Sequence, residues 1–474
     1  MEKKALLSIL MPVYNEEESL RASVLRALEA PLPAGMRSEI VAVDDGSTDA
    51  SPEILAELAA ANPQRVRVFK HAVNSGKGAA INTCLQRAAG EFAIIQDSDL
   101  EYDPAEYPRV LAPLVAGKAD VVYGSRFLVG GERRVLYYWH SLANRLITTA
   151  CNMAADVNLT DIETCYKAFR TSLARSIPIR SQRFGIEPEL TIKLAKRQAA
   201  IYEVPISYHG RTYEEGKKIG RRDAFEALWI ILRYAFTSDL YTDPGAVILH
   251  SLAGTRRFNI WMAETIRPWL GARVLELGAG IGNMTQHLAR SRKLYVATDV
   301  DEEHLARLRV RFQSRPNLRC AICDLRHPAD FAALDGGFDT VVCLNVLEHV
   351  EDDLRGLCNI RSALQPGGRA IILVPQDQSI YGTLDKILGH YRRYSAGQLR
   401  ARMEEAGFRV ERILEFNRIT RPGWYVNGRI LKRQDFGALQ LRVFDWLVPV
   451  WRRVDTALPW PAVSLIGIGV NPGP

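Results

Sequence analysis

Short apolar runs alternate with longer stretches of helical periodicity along the first half of the chain. The apolar runs predict strands at 6–11, 39–43, 66–69, 92–95 and 121–123. Helical periodicity separates them, at residues 16–30, 50–61, 78–89 and 104–116. This alternation is typical of a parallel sheet whose strands are joined by crossover helices. We expect Asp49 to be the N-cap of the second helix.

The same alternation begins again in the second half. It predicts strands at 272–277, 294–298, 318–322, 340–344, 370–374 and 464–470, with helices that include 303–313 and 397–406. A polar stretch from residue 237, followed by Pro244 and Gly245, interrupts the pattern between the halves. We therefore predict an α/β protein of two doubly wound domains, 1–238 and 250–474, joined by a linker at 239–249.

Composition narrows the range of partners and compartments. The 474 residues carry a net charge of +7 and are 47% hydrophobic, which favours a large core and anionic partners. No basic run is interleaved with aromatic residues, so we expect no nucleic acid partner. The seven cysteines are scattered and odd in number, which is typical of reduced thiols. Cys320 and Cys323 lack a second pair, so a zinc site is not expected there.

The chain shows no signal for secretion or membrane insertion. Its start has no small-residue cleavage site, and no apolar run reaches the roughly 18 residues of a spanning helix. We therefore expect a cytoplasmic protein. The stretch 224–236, AFEALWIILRYAF, is apolar nearly all round and follows several basic residues. It is either a buried helix or an interfacial helix that makes peripheral contact with the inner face of the cell membrane.

Polar residues follow every predicted strand of the first half. Ligands of open α/β sheets bind beyond the carboxyl ends of the strands, so these residues form a candidate site. They are Pro12, Tyr14, Asn15 and Glu16 after the first strand, Asp44 and Asp45 after the second, Lys77 after the third, Asp97 and Asp99 after the fourth, and Arg126 after the fifth. For any one of them alone, a solvated turn is the simpler explanation.

The stretch IIQDSDLEYDP places four carboxylates at alternate positions. Asp97 and Asp99 are hard oxygen ligands suited to Mg²⁺ or Mn²⁺, and Glu101 is a candidate auxiliary ligand. Asp103 precedes Pro104 and is expected to start the next helix. Asp44 could bind a base or a ribose, Tyr14 could stack on the base, and Lys77, Arg126, Arg211 and Lys217 could neutralise phosphate.

Taken together, MPVYNEEESL, VAVDDGSTD, NSGKGAAIN, QDSDLEYDP, DVVYGSRF and DIETCYKAFR resemble the family 2 glycosyltransferases of GT-A fold. The likeness covers residues 5–236 and is strongest to the dolichyl-phosphate mannose synthase and polyprenyl-phosphate glycosyltransferase subgroup. It implies a GDP- or UDP-sugar donor held by Pro12, Tyr14, Glu16 and Asp44, with a metal on Asp97 and Asp99. It also implies diphosphate contacts at Arg126, Arg211 and Lys217.

The resemblance favours an inverting transfer to a polyprenyl phosphate. A phosphate acceptor is already a nucleophile near neutral pH and needs no general base. A hydroxyl acceptor on a glycan is the alternative and would need one. The candidate bases are Asp161, Glu187 and Glu189.

A glycine-rich loop follows the first strand of the second half, in VLELGAGIGNM. A dinucleotide fingerprint would need glycine at 283, where Asn283 stands. With YVATD, CAICD and FDTVVCLNVLEHVEDD, the loop resembles the class I S-adenosylmethionine-dependent methyltransferases over residues 250–474. The resemblance implies a Rossmann-like domain that binds the cofactor through Glu276, Gly278, Gly280, Gly282, Asp299, Asp324 and Asn345.

The acceptor side of this second site is less defined. Asn345 to His349 would border the transferred methyl group, and His349 has a pKa suited to deprotonating a hydroxyl. The alternative is that His349 only packs the loop. His390, Arg392, Arg393 and Tyr394 either recognise a sugar or anionic group or form a solvated basic turn. We predict a bifunctional enzyme; the alternative is that one domain serves only binding or membrane targeting.

Overall fold

Fully buried aliphatic runs form the centre of two separate sheets.

A computed structural model of the chain describes residues 5–128, 130, 135, 137–183, 185–210, 221–237, 239–242, 248, 252, 254–334, 336–432 and 438–473. The chain divides into the units Met1–Thr242 and Asp243–Pro474. This division lies within the stretch 239–249, part of which is outside the described residues, so the linker itself stays a prediction.

The described strands of the first unit form one mixed sheet. They are β1 (Leu6–Val13), β2 (Arg37–Asp44), β3 (Val66–Lys70), β4 (Phe92–Ile95), β5 (Val121–Ser125), β6 (Lys167–Arg170) and β7 (Ile201–Pro205). Their order across the sheet is β3-β2-β1-β4-β6-β5-β7. β6 runs antiparallel to both of its neighbours, and the other pairs are parallel.

Helices cover this sheet, so its central strands are apolar at consecutive positions rather than at alternate ones. The helices are α1 (Leu20–Glu29), α2 (Ser51–Ala61), α3 (Lys77–Arg87), α4 (Tyr107–Val115), α5 (Tyr138–Ala155), α6 (Thr171–Arg175), α7 (Ile186–Lys196) and α8 (Arg221–Phe236). A 3₁₀ turn, Pro104–Glu106, precedes α4. The five strands predicted in this half are confirmed, but β6 and β7 were not predicted.

The predicted cap at Asp49 is wrong by one residue. The N-cap position of α2 is Ala50. Asp49 instead accepts hydrogen bonds from the backbone N–H groups of Ser51, at 3.0 Å, and Glu17, at 3.0 Å. Its carboxylate therefore ties the start of α2 to the loop after β1.

The described strands of the second unit form a second mixed sheet. They are β8 (Arg273–Leu277), β9 (Leu294–Asp299), β10 (Leu318–Ile322), β11 (Phe338–Leu344), β12 (Leu364–Pro375), β13 (Arg409–Phe416) and β14 (Ser464–Val470). Their order is β10-β9-β8-β11-β12-β14-β13. β14 runs antiparallel to β12 and β13, and the other pairs are parallel. β13, which lies at the edge, was not predicted.

Helices pack on both faces of the second sheet. They are α9 (Arg256–Ile266), α10 (Thr285–Leu288), α11 (Glu302–Arg311), α12 (Pro328–Ala332), α13 (Asp353–Ala363), α14 (Thr383–Leu388), α15 (Ala396–Glu405), α16 (Arg421–Tyr425) and α17 (Ala438–Val454). Neighbouring residues of β8 show the two faces, because Leu275 lies in one buried cluster and Val274 in the other. The predicted pair of doubly wound α/β domains is confirmed.

Two further expectations concern thiols and membranes. All seven cysteines are unpaired, as the sequence predicts. Within the described part of the chain, no helix has both the length and the apolar character needed to cross a bilayer.

Candidate active sites

The carboxyl ends of four strands lie at one edge of the first sheet. Val13 at the end of β1 pairs with Asp44 of β2, and Leu10 pairs with Ile95 at the end of β4. β5 runs in the same direction as β4, since the intervening β6 is antiparallel to both. The loops that follow these strands therefore bring Tyr14, Asp44, Asp97 and Arg126 to a common edge.

One carboxylate oxygen of Asp44 has no hydrogen bond within the described residues. Oδ1 accepts the N–H of Ser47 at 2.9 Å. Oδ2 is buried and has no hydrogen-bond partner among the described residues, with Lys70 Nζ 3.7 Å away. A buried carboxylate oxygen without a hydrogen bond is costly, so this atom is suited to accept one from a base or a ribose.

Asn15 and Asp45, both predicted as donor contacts, hold the surrounding loops. Asn15 has a left-handed backbone (φ 51°), and its Oδ1 accepts the N–H of Thr48 at 2.8 Å. Asp45 accepts the N–H groups of Ser75 at 3.0 Å and Gly76 at 2.6 Å. These contacts hold the loops after β1, β2 and β3 together.

The other residues after β1 occupy distinct positions. Pro12 lies in β1 itself, where it is paired with Val43. The side chain of Tyr14 is 46% exposed, which leaves an aromatic face available for stacking. Glu16 accepts the hydroxyl of Ser19 at 2.7 Å. Of the three, Tyr14 has the geometry best suited to contact a base.

Lys77 and Asp97 form an ion pair at the start of α3. Lys77 Nζ lies 2.9 Å from Asp97 Oδ1 and 3.4 Å from Glu187 Oε1. Burial opposes the lysine charge, but the carboxylates of Asp97 and Glu187 outweigh it and raise the pKa of Lys77 well above its ordinary value. Lys77 is therefore protonated near neutral pH and contacts the predicted metal ligand Asp97.

The four carboxylates of IIQDSDLEYDP differ in their surroundings. Asp99 is partly exposed, and its Oδ1 accepts the N–H of Glu101 at 3.1 Å. Glu101 is buried, and its Oε2 accepts the hydroxyl of Tyr208 at 2.8 Å. Asp103 caps the 3₁₀ turn by accepting the N–H of Ala105 at 3.0 Å, which confirms its predicted helix-starting role. Asp97 and Asp99 offer oxygen ligands that fit Mg²⁺ or Mn²⁺.

Arg126 is held by a buried carboxylate. Its Nε and a terminal nitrogen donate to the two oxygens of Asp161 at 2.7 and 2.8 Å, and its guanidinium lies over the ring of Tyr208 at 5.0 Å. Burial opposes ionisation of Asp161, but Arg126 outweighs it and holds the pKa of Asp161 below its usual value. The pair fixes the guanidinium in one orientation.

The three predicted bases are all paired with cations. Asp161 binds Arg126, Glu187 binds Lys167, and Glu189 accepts Lys193 Nζ at 2.7 Å. Sequence reasoning missed Glu163, whose pKa rises to about 7 through burial and the nearby charge of Glu187. Its Oε1 is buried without a hydrogen-bond partner in the described residues. Its position two residues after Asp161 was the available signal.

Two predicted diphosphate contacts cannot be placed. Arg211 and Lys217 lie outside the described residues.

The glycine loop of the second unit adopts the conformations that glycine permits. Gly278, Gly280 and Gly282 have φ values of 67°, 54° and 85°. Added Cβ atoms would lie 2.3 Å from Val346 at Gly278 and 2.6 Å from Phe312 at Gly282, but no described atom lies within 4 Å of one at Gly280. The loop therefore packs closely at its ends and leaves space at its centre, where it fits a cofactor.

Two aspartates end the strands beside this loop. Asp299 Oδ2 accepts the N–H of Gly280 at 2.8 Å, and its Oδ1 lies 3.2 Å from His304 Nδ1. Asp324 is held by Arg326 of its own loop at 2.6 Å. The hydrogen bond from Arg326 lowers the pKa of Asp324, and for Asp299 burial is outweighed by His304. Both remain ionised near neutral pH.

The carboxylate of Glu276 accepts two hydrogen bonds close to the glycine loop. Its Oε2 accepts the hydroxyls of Thr285 at 2.6 Å and Tyr295 at 3.0 Å. Burial raises its pKa to about 7, more than those hydrogen bonds lower it. Glu276 therefore orders the loop, since its carboxylate joins β8 to the start of α10.

Asn345 and His349 lie in the turn that follows β11. Asn345 has a left-handed backbone, with φ of 54°, which costs energy at a non-glycine residue and is common at functional sites. The side chain of His349 reaches the surface, but part of its ring is packed against protein. This partial burial lowers the pKa of His349, and the nearby charge of His390 lowers it further. Its imidazole is therefore neutral at pH 7 and able to accept a proton.

The basic turn GHYRRYS is largely structural. Arg393 donates to Asp385 Oδ1 at 2.8 Å, and Tyr394 donates to Asp353 Oδ2 at 2.9 Å. Arg392 pairs with Asp353 at 3.1 Å. His390 differs, because it faces Glu348 and His349. The turn is thus neither fully solvated nor broadly available to an acceptor.

Comparison with known families settles the class of each unit. Residues 8–177 match the model of glycosyl transferase family 2, and residues 255–413 match that of a methyltransferase domain. The chain joins a family 2 glycosyltransferase domain to a methyltransferase domain. Most residues of the two candidate sites lie within these two matched segments.

The first unit is similar to curated proteins whose names mention an undecaprenyl phosphate or a polyprenol. An undecaprenyl-phosphate 4-deoxy-4-formamido-L-arabinose transferase of Edwardsiella ictaluri is 31% identical over 44% of this chain and 62% of its own length. The polyprenol monophosphomannose synthase of Mycolicibacterium smegmatis is 29% identical over 50% of this chain and 90% of its own. The chain thus spans less than two thirds of the arabinose transferase.

Solved structures similar to the methyltransferase domain include the N-methyltransferase NodS from Bradyrhizobium japonicum in complex with S-adenosyl-L-homocysteine. It is 16% identical over 46% of this chain and 86% of its own, with a TM-score of 0.31.

Proposed function

We propose that the glycosyltransferase domain transfers a sugar, with inversion, from a GDP- or UDP-sugar to a polyprenyl phosphate, using Mg²⁺ or Mn²⁺. The observation that carries this proposal is the pair of partly buried cations, Lys77 and Arg126, at the edge where Asp44 has an oxygen without a hydrogen bond. Fixed positive charge stabilises a departing diphosphate without reorganisation. Asp97 and Asp99 would hold the metal, and the metal would neutralise diphosphate charge.

These residues have separate roles in a single displacement reaction. Asp44 and Tyr14 bind the nucleoside, while Lys77 and Arg126 orient the diphosphate. An oxygen of the acceptor phosphate forms the new bond to the anomeric carbon as the bond from that carbon to the diphosphate breaks. The diphosphate takes the electron pair, and no protein base is required.

Glu163 supports a second candidate, transfer to a hydroxyl of a glycan. Such a transfer needs a base whose pKa lies near the working pH, and that of Glu163 is raised to about 7. The predicted bases Asp161, Glu187 and Glu189 are paired with cations and are less suited to the role. If Glu163→Gln abolishes transfer to every acceptor tested, the hydroxyl mechanism is favoured over the phosphate mechanism.

The surface of α8 supports a membrane-bound acceptor. One face packs against α5 and α7 through buried residues such as Ile230 and Tyr234. The opposite face exposes five large apolar side chains, which we call the apolar stripe: Phe225, Leu228, Trp229, Leu232 and Phe236. Phe225 is 74% exposed and Phe236 is 83% exposed. The helix is thus neither wholly buried nor wholly exposed, which suits peripheral contact with the inner face of the membrane.

The decisive experiment is a screen of UDP- and GDP-sugars with polyprenyl phosphate in vesicles. We expect lipid-linked sugar from one donor, and a loss of at least 100-fold in Asp99→Ala. Asp103→Asn is the matched control, since it changes a capping carboxylate in the same loop. Equal turnover by wild type and Asp99→Ala would overturn the metal assignment.

A sedimentation assay tests the apolar stripe separately. The variant Trp229→Ser/Phe236→Ser should lose most of its binding to anionic vesicles while keeping donor hydrolysis. Val115→Ser, which removes an exposed apolar side chain elsewhere, should bind like wild type. Undiminished binding by the double variant would show that the stripe is not the contact surface.

We propose further that the methyltransferase domain binds S-adenosylmethionine and methylates a sugar or lipid-linked hydroxyl. The open space at Gly280, beside ionised Asp299 and Asp324, supports cofactor binding. Bound S-adenosylmethionine would supply an electrophilic methyl group. Asp299 would bind the ribose, Asp324 the adenine, and His349 would accept the proton of the hydroxyl.

Fusion suggests that both domains act on one glycan or glycolipid, because a shared intermediate would have a raised local concentration. Purified product of the first reaction, incubated with radiolabelled S-adenosylmethionine, should take up label. Calorimetric titration of the full chain with the cofactor serves as the control. Cofactor binding without labelling would contradict the shared substrate, whereas no cofactor binding would make the second domain a binding or targeting module.

A further inference from the structure

We propose that Glu348, His349 and His390 form a binding site for a divalent transition-metal ion in the methyltransferase domain. Each residue offers one ligand atom, and the three atoms lie within 4.8 Å of one another. No other group of three or more histidine, cysteine or carboxylate side chains in the described part of the chain has its ligand atoms this close together. A pair of histidines with one carboxylate is a ligand set that binds Zn²⁺ and similar ions.

The backbone brings the three side chains together from two segments. Glu348 and His349 lie in the 3₁₀ turn Leu347–His349 after β11, and His390 follows Gly389 at the end of α14. The two imidazole rings are 4.9 Å apart. An ion bound at roughly 2.1 Å from each ligand draws them somewhat closer. His349 can make this adjustment, since its side chain reaches the surface.

Glu348 is the strongest observation in favour of a cation. Its side chain is fully buried, and neither carboxylate oxygen has a hydrogen-bond partner among the described residues. The nearest ionisable neighbour is His390, whose Nε2 lies 3.9 Å from Oε1. Burying an ionised carboxylate without hydrogen bonds is strongly unfavourable, so a proton or a bound cation is needed to neutralise it.

The surroundings of His390 match those of a metal-bound histidine. Its Nδ1 pairs with Asp385 Oδ1 at 2.9 Å, and that carboxylate is fixed by Arg393 at 2.8 Å and by the N–H of Gly382 at 3.0 Å. A carboxylate that accepts the Nδ1 proton leaves a lone pair on Nε2, on the side of Glu348. This second interaction is typical of histidines that bind metals.

The site adjoins the region where we place the acceptor. Glu348 and His349 follow Asn345 by three and four residues. The three protein ligands would leave coordination positions for an acceptor oxygen, with His349 then a metal ligand in place of the proton acceptor named above. This role, unlike the metal site itself, rests on the proposed methyl transfer. The competing explanation is that Glu348 retains a proton and no metal binds.

The test measures metal binding directly, in the absence of cofactor and acceptor. Untagged full-length protein carrying Asp97→Asn and Asp99→Asn, which disable the site of the first domain, is equilibrated with Zn²⁺, dialysed and analysed for bound metal. We expect one equivalent per chain. Co²⁺ in place of Zn²⁺ should give visible absorption bands of nitrogen and oxygen coordination, without a thiolate charge-transfer band.

Three variants and one control decide the outcome. His390→Gln, Glu348→Gln and His349→Gln should each weaken Zn²⁺ binding at least tenfold, while the exposed Glu351→Gln should not. His349 lies at the surface, so His349→Gln remains informative if either buried substitution unfolds the domain. Metal uptake that is absent in the parent, or unchanged in all three variants, would overturn the site. Because no S-adenosylmethionine is present, failure of the proposed methyl transfer would not affect this result.

Discussion

The buried charges of the two candidate sites are balanced in opposite ways. In the glycosyltransferase domain, Lys77 and Arg126 are partly buried cations, each paired with a carboxylate within 3.0 Å. In the methyltransferase domain, Glu276 and Glu348 are buried carboxylates, and the hydrogen bonds to Glu276 come from two uncharged hydroxyls. The first site thus balances its carboxylates with cations, whereas Glu276 and Glu348 have no cation within hydrogen-bond distance among the described residues.

This difference matches the ligands that we propose. A nucleoside diphosphate carries negative charge, so cations that are already oriented can exchange a carboxylate for a phosphate oxygen at low cost. S-adenosylmethionine carries a positive sulfonium, which carboxylates without a cation partner would not repel. The contrast teaches that the partners of the buried carboxylates, more than the shared α/β architecture, distinguish the two sites.

The largest expected effect comes from removing the stored cation of the first site. Lys77→Met should lower kcat/KM for sugar transfer about 1000-fold, because it removes a charge that stabilises the departing diphosphate. Methyl transfer by the same protein should be unchanged. Lys118→Met, an exposed lysine of the same domain, is the control. A wild-type rate in Lys77→Met would show that the charge of Lys77 does not stabilise the departing diphosphate.

A smaller loss is expected when charge is kept but geometry is changed. Arg126→Lys retains a cation but loses the two-point contact with Asp161, and should reduce sugar transfer about 10- to 100-fold. Steady-state kinetics with varied donor separates an effect on kcat from one on KM. A thermal melt checks that the pair with Asp161 is not needed merely for folding.

The second site is probed by two matched glycine substitutions. Gly280→Ala and Gly367→Ala both place alanine at a left-handed residue, with φ of 54° and 77°, and neither Cβ meets a described atom within 4 Å. Each should cost about 1 kcal/mol of stability. Calorimetry should show S-adenosylmethionine binding at least tenfold weaker in Gly280→Ala only. Equal affinities would mean that the loop does not hold the cofactor.

The smallest expected effect is a pH dependence of stability. The pKa of Glu276 is raised to about 7 in the folded state, so the folded protein keeps a proton that the unfolded chain releases from about pH 4.5 upward. Stability should therefore fall as pH rises from about 4.5 to about 7, then level off. The contribution is on the order of 3 kcal/mol. Urea unfolding of Glu276→Gln should show a shallower fall than wild type.

The sequence was most informative where chemistry follows a buried strand. Tyr14, Asp44, Asp97, Asp99 and Arg126 each come after an apolar run, so parallel strands place them at one edge. The interior strand β6 escaped prediction because it begins with Lys167, a charged residue that is fully buried. Its partner, Glu187, lies 20 residues further along and is recognisable only in three dimensions.

Sequence also could not separate residues that face a ligand from those that hold a loop. Asn15 and Asp45 sit within the same motifs as Tyr14 and Asp44, yet their side chains bind backbone N–H groups. Glu163 and Glu348 lie within recognisable motifs, but the missing hydrogen bonds of their carboxylate oxygens are properties of the fold. Whether a motif residue contacts a ligand depends on which polar atoms the surrounding chain leaves unused.

The apolar stripe has a kinetic consequence. A protein held on a bilayer through Phe225, Trp229 and Phe236 searches for its acceptor in two dimensions. Its rate should follow the mole fraction of polyprenyl phosphate in the bilayer and not the amount per volume of solution. Adding inert phospholipid at constant total acceptor should therefore slow sugar transfer by surface dilution, while hydrolysis of a water-soluble donor continues at the same rate.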